Sequence, residues 1–111
     1  MDEKQLTGDQ LLSLFEALAN PHRLRIIGIL NVERKYVSQL AREMNMSRPL
    51  IHMHLNRLEQ AGLVKSNLEI SSDGKAMNYF ELVSFQFDVT ATVIEERLQS
   101  LSNKKKKRTE D

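Results

Sequence analysis

Between Ser47 and Arg57 the chain reads Ser-Arg-Pro-Leu-Ile-His-Met-His-Leu-Asn-Arg, and groups able to do chemistry are denser here than elsewhere. A metal reading fails on direction: two residues apart on a helix, His52 and His54 point about 200° apart and cannot grip one ion. A catalytic reading lacks its parts, since the chain has no cysteine, no Gly-rich phosphate loop and no acid and base that can be placed together in a cleft. A nucleic-acid reading fits. An arginine can donate two parallel hydrogen bonds to guanine, worth about 1–3 kcal/mol of discrimination, and histidine or asparagine can reach phosphates or base edges. Arg48 and His52 are therefore candidate DNA contacts, each weighed against a solvated surface group. Asn56 and Arg57 lie a turn or more further along, where phosphate contact or a surface ion pair is favoured over base reading. Ser47, Pro49 and Met53 complete the outward set, while His54 sits beside the apolar stripe and is expected to be structural. Met44 and Met46 at helical spacing read as gap-filling core rather than as thioether ligands.

These groups need a scaffold. Leu11, Leu12, Phe15, Leu18 and Ala19 recur at steps of three and four and predict a first helix capped by Asp9. Asn20-Pro21 ends it and starts a second helix to about Leu30, apolar around much of its circumference and expected to be the most buried element. Val37, Leu40, Ala41 and Met44 predict a third helix ending near Asn45. After a tight turn, Ser47 caps a fourth helix with Pro49 in its first turn and Ile51, Leu55, Leu58 and Ala61 or Gly62 inward; Gly62 is placed to terminate it in a left-handed conformation. The period then changes to two, predicting a hairpin of Leu63–Ile70 and Met77–Val83 around Ser71–Lys75, whose Asp73-Gly74 pair suits positive φ. Phe85 to Leu101 predicts a last helix with a heptad-like seam of Phe87, Ala91, Ile94, Leu98 and Leu101, available to pack against a second copy together with Leu11, Leu12 and Phe15.

The fold class is mainly α with a small β-hairpin: helix, helix, short strand, helix, helix, hairpin, helix, the order of a winged helix-turn-helix. One domain is expected over residues 1–103, with 104–111 a disordered basic tail. At 111 residues and 41% hydrophobic the chain can build a single core. No apolar run nears the roughly 18 residues a membrane-spanning helix needs, and the first residues lack a secretory signal; a cytoplasmic protein with no membrane partner is expected. Net charge is only +1, but its distribution is uneven. Residues 34–75 hold seven Lys or Arg against four acids, so the middle is basic while the flanks are not. Lys65 and Lys75 in the hairpin, and Gln39 early in the third helix, are candidate phosphate contacts, and the run Lys104–Arg108 can add sequence-independent affinity.

The runs Ala17-Leu18-Ala19-Asn20-Pro21-His22-Arg23-Leu24-Arg25-Ile26-Ile27 and Val37-Ser38-Gln39-Leu40-Ala41 carry a family likeness. So does the stretch from Ser47 through His54-Leu55 and Leu58 to Ala61-Gly62-Leu63-Val64. Together they resemble the ArsR family of winged-helix repressors, over roughly residues 10–83. The resemblance implies a homodimer through the first and last helices, a fourth helix that reads double-stranded DNA, and a hairpin touching flanking phosphates or the minor groove. It also implies repression. The chain departs from the metal-sensing members, which often carry Cys-Val-Cys where Tyr36-Val37-Ser38 stands here; between Phe85 and Leu101 the only candidate ligands are Asp88, Glu95 and Glu96. No metal or cofactor is expected, and the sequence does not name an effector. A protein–protein module using the same outward surface is the second reading, since this fold does not dictate DNA; an enzyme is the weakest.

Overall fold

The computed structural model describes residues 6–103. Its elements are α1 (Gly8–Leu18), α2 (Pro21–Val32), β1 (Lys35–Tyr36), α3 (Val37–Met44), α4 (Arg48–Gln60), β2 (Val64–Ile70), β3 (Ala76–Leu82) and α5 (Ala91–Arg97), which runs into a 3-10 turn at Leu98–Ser100. This is the expected order. The strands form one antiparallel sheet in the order β1-β3-β2; Tyr36 faces Tyr79 across β1 and β3, and Asn67 faces Tyr79 across β2 and β3. The basic tail lies outside the described residues. Among those described, no helix is long and apolar enough to cross a membrane.

The core draws on every layer: Leu11, Leu14 and Ala17 from α1, Ile26 and Leu30 from α2, Leu40 from α3, Ile51, Leu55 and Leu58 from α4, then Leu63, Val64 and Phe80. In α1 the buried stripe is thus Leu11-Leu14-Ala17, whereas the spacing predicted one apolar face of Leu11, Leu12, Phe15, Leu18 and Ala19. Leu12 is exposed and Phe15 half-buried, because the helix has two apolar faces and only one meets the core. Its cap also differs. Thr7 accepts from the Gln10 amide at 3.1 Å while Gln10 Oε1 accepts from the Thr7 amide at 2.8 Å, a capping box. Asp9 instead bonds the C-terminal segment, as described below.

The expectation that α2 is the most buried element is not met. Only Ile26 and Leu30 are fully buried, whereas Leu24 and Val32 are 54% and 84% exposed. An apolar circumference gives no direction, and neighbours cover only one side. Asn20 caps it as expected, its Oδ1 accepting from the His22 and Arg23 amides at 2.9 and 3.2 Å. The hairpin reaches past the body, so β2 buries Val64 but leaves Leu68 and Ile70 exposed.

The largest correction concerns the last helix. It starts at Ala91, where Thr90 Oγ1 accepts from the Val93 amide at 3.0 Å, and not at Phe85. The preceding segment is extended enough to put Phe85 and Phe87 on one side. Their rings stack with centroids 5.9 Å apart, and both pack against the core. Phe87 therefore leaves the seam, which consists of Ile94, Leu98 and Leu101, with Ala91 exposed in the first turn.

Candidate nucleic-acid interface

Two short signals set the angle between α3 and α4. Asn45 adopts the left-handed conformation (φ 54°, ψ 48°), which asparagine tolerates better than most side chains. The Met46 amide then donates to the Ala41 carbonyl at 3.0 Å. Ser47 starts α4, its Oγ accepting from the Leu50 amide at 3.4 Å, with Pro49 in the first turn where no amide is missed. At the other end, Gly62 (φ 79°) releases the chain into β2 as expected.

Between these ends α4 has two unlike sides. Ile51, His54, Leu55 and Leu58 are buried; Arg48, Pro49, Leu50, His52, Met53, Asn56 and Arg57 are exposed. Every residue expected to face outward does so, and His54 is inside as expected. Its Nδ1 lies 3.1 Å from Arg23 Nη1, and burial first, then Arg23 and His22, hold its pKa below the usual histidine value.

Arg48 borders two grooves. One, of about 450 Å³, runs between α4 and the hairpin and is lined by Tyr36, Ser38, Arg48, His52, Met77 and Asn78 among others. The second lies at the α3–α4 turn, where Ser38, Arg42, Asn45, Ser47 and Arg48 converge. Ser38 and Arg42 were not singled out from sequence; their signal was the polar side of α3, opposite Leu40. Gln39, singled out for phosphate, is half-buried and its Oε1 accepts from the Tyr36 amide at 3.0 Å. That leaves its amide nitrogen as the group able to reach a ligand.

Ion pairs sort the basic residues. Arg34 forks onto the Glu69 carboxylate, with Nη2 to Oε1 at 3.0 Å, and its guanidinium lies 4.0 Å over the Tyr79 ring. That hydrogen bond holds Glu69 below the usual carboxylate range. Lys35 bridges Glu43 at 2.7 Å and Glu33 at 3.0 Å, bonds that raise its pKa. Arg42, Arg48, Arg57, Lys65 and Lys75 form no ion pair among the described residues. The last four were expected to face a polyanion, and all four present their charge to solvent. Lys65 and Lys75 do so from the hairpin. The Lys75 amide is held by Ser71 Oγ at 3.1 Å and Asp73 Oδ1 at 3.3 Å. The Ser71 hydroxyl donates to Asp73 Oδ1, and that bond first, then the one from the Lys75 amide, keeps the Asp73 carboxyl low, so the hairpin tip carries one acid beside its lysine.

A second surface lies between α1 and the C-terminal segment. Leu11, Leu12, Phe15, Ile94, Leu98 and Leu101 line a cavity of about 130 Å³ there. The two segments are stitched at one end: the Gly8 amide donates to Ser100 Oγ at 2.7 Å, and the Ser102 amide donates to Asp9 Oδ1 at 2.8 Å. Gly8 is needed for that approach, because a Cβ there would sit 2.2 Å from the Arg97 carbonyl oxygen. Of the eight residues expected at a dimer contact, six share this cavity, and Phe87 and Ala91 do not. No group of three or more metal-ligating residues is assembled among the described residues.

A model of the arsR family of bacterial regulatory proteins matches residues 20–66. An uncharacterized HTH-type transcriptional regulator of Methanocaldococcus jannaschii is 33% identical over 90 residues, which is 81% of this chain and 94% of that protein. Among solved structures, the homodimeric winged helix-turn-helix DNA-binding domain of a possible ArsR-family regulator from Mycobacterium bovis is similar with a TM-score of 0.60 and 27% identity, over 67% of this chain and 64% of that one. HlyU from Vibrio cholerae, 24% identical, shares the fold with a TM-score of 0.58 over 79% of this chain and 84% of its own.

Proposed function

The chain belongs to the arsR family of bacterial regulatory proteins, a family of DNA-binding transcriptional regulators and not of enzymes, and from that premise we propose that it binds a pseudo-palindromic operator as a homodimer and represses transcription. The observation that carries the reading is the division of α4: one side is consumed by the core and the outward side is mostly polar or cationic, with Arg48 at the first turn and His52 one turn on. Such a helix can enter a major groove without exposing its core. Arg48 pairs with guanine; Ser47, Gln39, Asn56, Arg57, Lys65 and Lys75 meet phosphates; Met53 and Pro49 offer apolar contact to base edges. Binding involves no covalent chemistry.

The second copy covers the α1–α5 cavity. Leu12, Ile94, Leu98 and Leu101 are exposed there, and the similar Mycobacterium bovis domain is homodimeric. Two-fold symmetry would then set half-sites about one helical turn, roughly 34 Å, apart. Operation in the cytoplasm is part of the same reading. Footprinting on DNA upstream of the chain's own gene tests it. A protected two-fold site, lost with Arg48→Ala, supports the proposal; uniform protection indifferent to Arg48→Ala rejects it.

A further inference from the structure

Arg23 ties three helices together. Its Nε donates to the Ala17 carbonyl at 2.6 Å and its Nη2 to the Glu16 carbonyl at 3.2 Å, two of the last carbonyls of α1, which have no acceptor role inside the helix. Its Nη1 meets Nδ1 of His54, on the buried side of α4, at 3.1 Å. A guanidinium only donates and stays charged in proteins. Nδ1 must therefore carry the lone pair, and His54 is neutral with its proton on Nε2. A second proton would set N–H against N–H at the same distance. His54 is 4% exposed, so the ring itself has little solvent to stabilise that added charge.

The charged and titratable groups facing His54 all oppose that proton. From α2 come Arg23 and the His22 ring, whose centroid is 5.4 Å away. On its own helix Arg57 acts on Arg23 with like charge. At this junction α1 contributes backbone carbonyls, and no carboxylate among the described residues hydrogen-bonds Arg23 or His54.

We propose that Arg23 and His54 are a positioning pair that holds α4 against the end of α1, and that protonation of His54 releases it, weakening duplex binding on acidification. The effect on DNA rests on the reading of α4 given above. The sign follows from linkage: His54 in the unfolded chain takes up its proton near pH 6.5, the folded chain resists, and folded-state stability falls progressively below that pH. Because α1 also lines the cavity assigned to the second copy, the pair joins the dimer surface to the DNA surface.

The test follows histidine ring nitrogens and backbone amides of the full chain by NMR from pH 8 to pH 5, alongside the anisotropy of a labelled duplex taken from the chain's own upstream DNA. His54→Asn is the comparison, since it offers an amide oxygen near the Nδ1 position and does not titrate. The wild-type ring should show a bare Nδ1 at pH 8 and a protonation midpoint below 6.5, and amides of residues 48–60 and 16–18 should shift with that midpoint. Between pH 8 and pH 5.5 wild type should lose on the order of tenfold more duplex affinity than His54→Asn. A midpoint at or above 6.5, α4 amides that do not follow it, or equal affinity loss in both proteins overturns the proposal. Should His54→Asn not fold, Arg23→Met serves, with a raised His54 midpoint expected and an unchanged one contradicting the pair. Absence of duplex binding at pH 8 in wild type would reject the DNA reading alone, and the ring and amide titrations would then decide the positioning pair by themselves.

Discussion

The outward side of α4 and the cavity between α1 and α5 use apolar residues in opposite ways. On α4 Ile51, Leu55 and Leu58 are buried, and the side that faces out is mostly polar or cationic, with Leu50 and Met53 its exposed apolar members. Along the terminal segments Leu12, Ile94, Leu98 and Leu101 stay exposed, Leu98 by 55%. A surface of the first kind gains from a polyanion, whose counterions it displaces. One of the second kind gains from another apolar surface, at roughly 25 cal/mol for each Å² removed from water. Under the proposed function, DNA meets the first surface and a second copy the other.

The comparison breaks most completely at the core the two surfaces share. Leu55→Ala should destabilise the chain by about 2–5 kcal/mol, measured by denaturant unfolding, and a loss under about 1 kcal/mol would mean that α4 is not packed as described. Next comes Leu98→Glu, which puts a charge into the terminal cavity. It should convert a dimer to a monomer by light scattering and, with two half-sites no longer engaged together, weaken duplex binding about a hundredfold, while helix content by circular dichroism persists. An unchanged mass would place the second copy elsewhere. Gly8→Val drives a side chain into the Arg97 carbonyl and should cost about 1–3 kcal/mol, read as a lowered thermal midpoint together with weaker dimerisation. Smallest is Lys75→Ala. It should weaken all duplexes alike and reduce the salt slope by about 1, with stability unmoved; a sequence-dependent effect would put the hairpin tip against bases instead of phosphates.

How much was legible follows from the same contrast. The sequence of α4 states its own geometry, because Ser47, Pro49 and Gly62 mark both ends and the three-four spacing of Ile51, Leu55 and Leu58 marks one side. Apolar residues all round α2 state a helix but not an orientation, so the exposure of Leu24 and Val32 has no local signal. Phe87 fits the later seam by spacing alone, although its two-residue step from Phe85 equally suits the extended segment found, and Thr90 is the start signal that separates the two. Long-range pairs leave no local trace. Arg23 meets His54 and Arg34 meets Glu69 across 31 and 35 residues of chain, distances over which neither periodicity nor capping carries information. The same holds for Asp9, which looks like a cap locally but bonds Ser102, 93 residues away.

The claim that α4 turns a DNA-reading side outward is tested most directly by titrating salt against two labelled duplexes, one from the chain's own upstream DNA and one of the same composition scrambled, with wild type and Arg48→Ala. Wild type should prefer its own duplex, lose affinity steeply as salt rises, and surrender about 1–3 kcal/mol of that preference on loss of the Arg48 guanidinium. Affinity that ignores salt, is equal for both duplexes and is untouched by Arg48→Ala would contradict it.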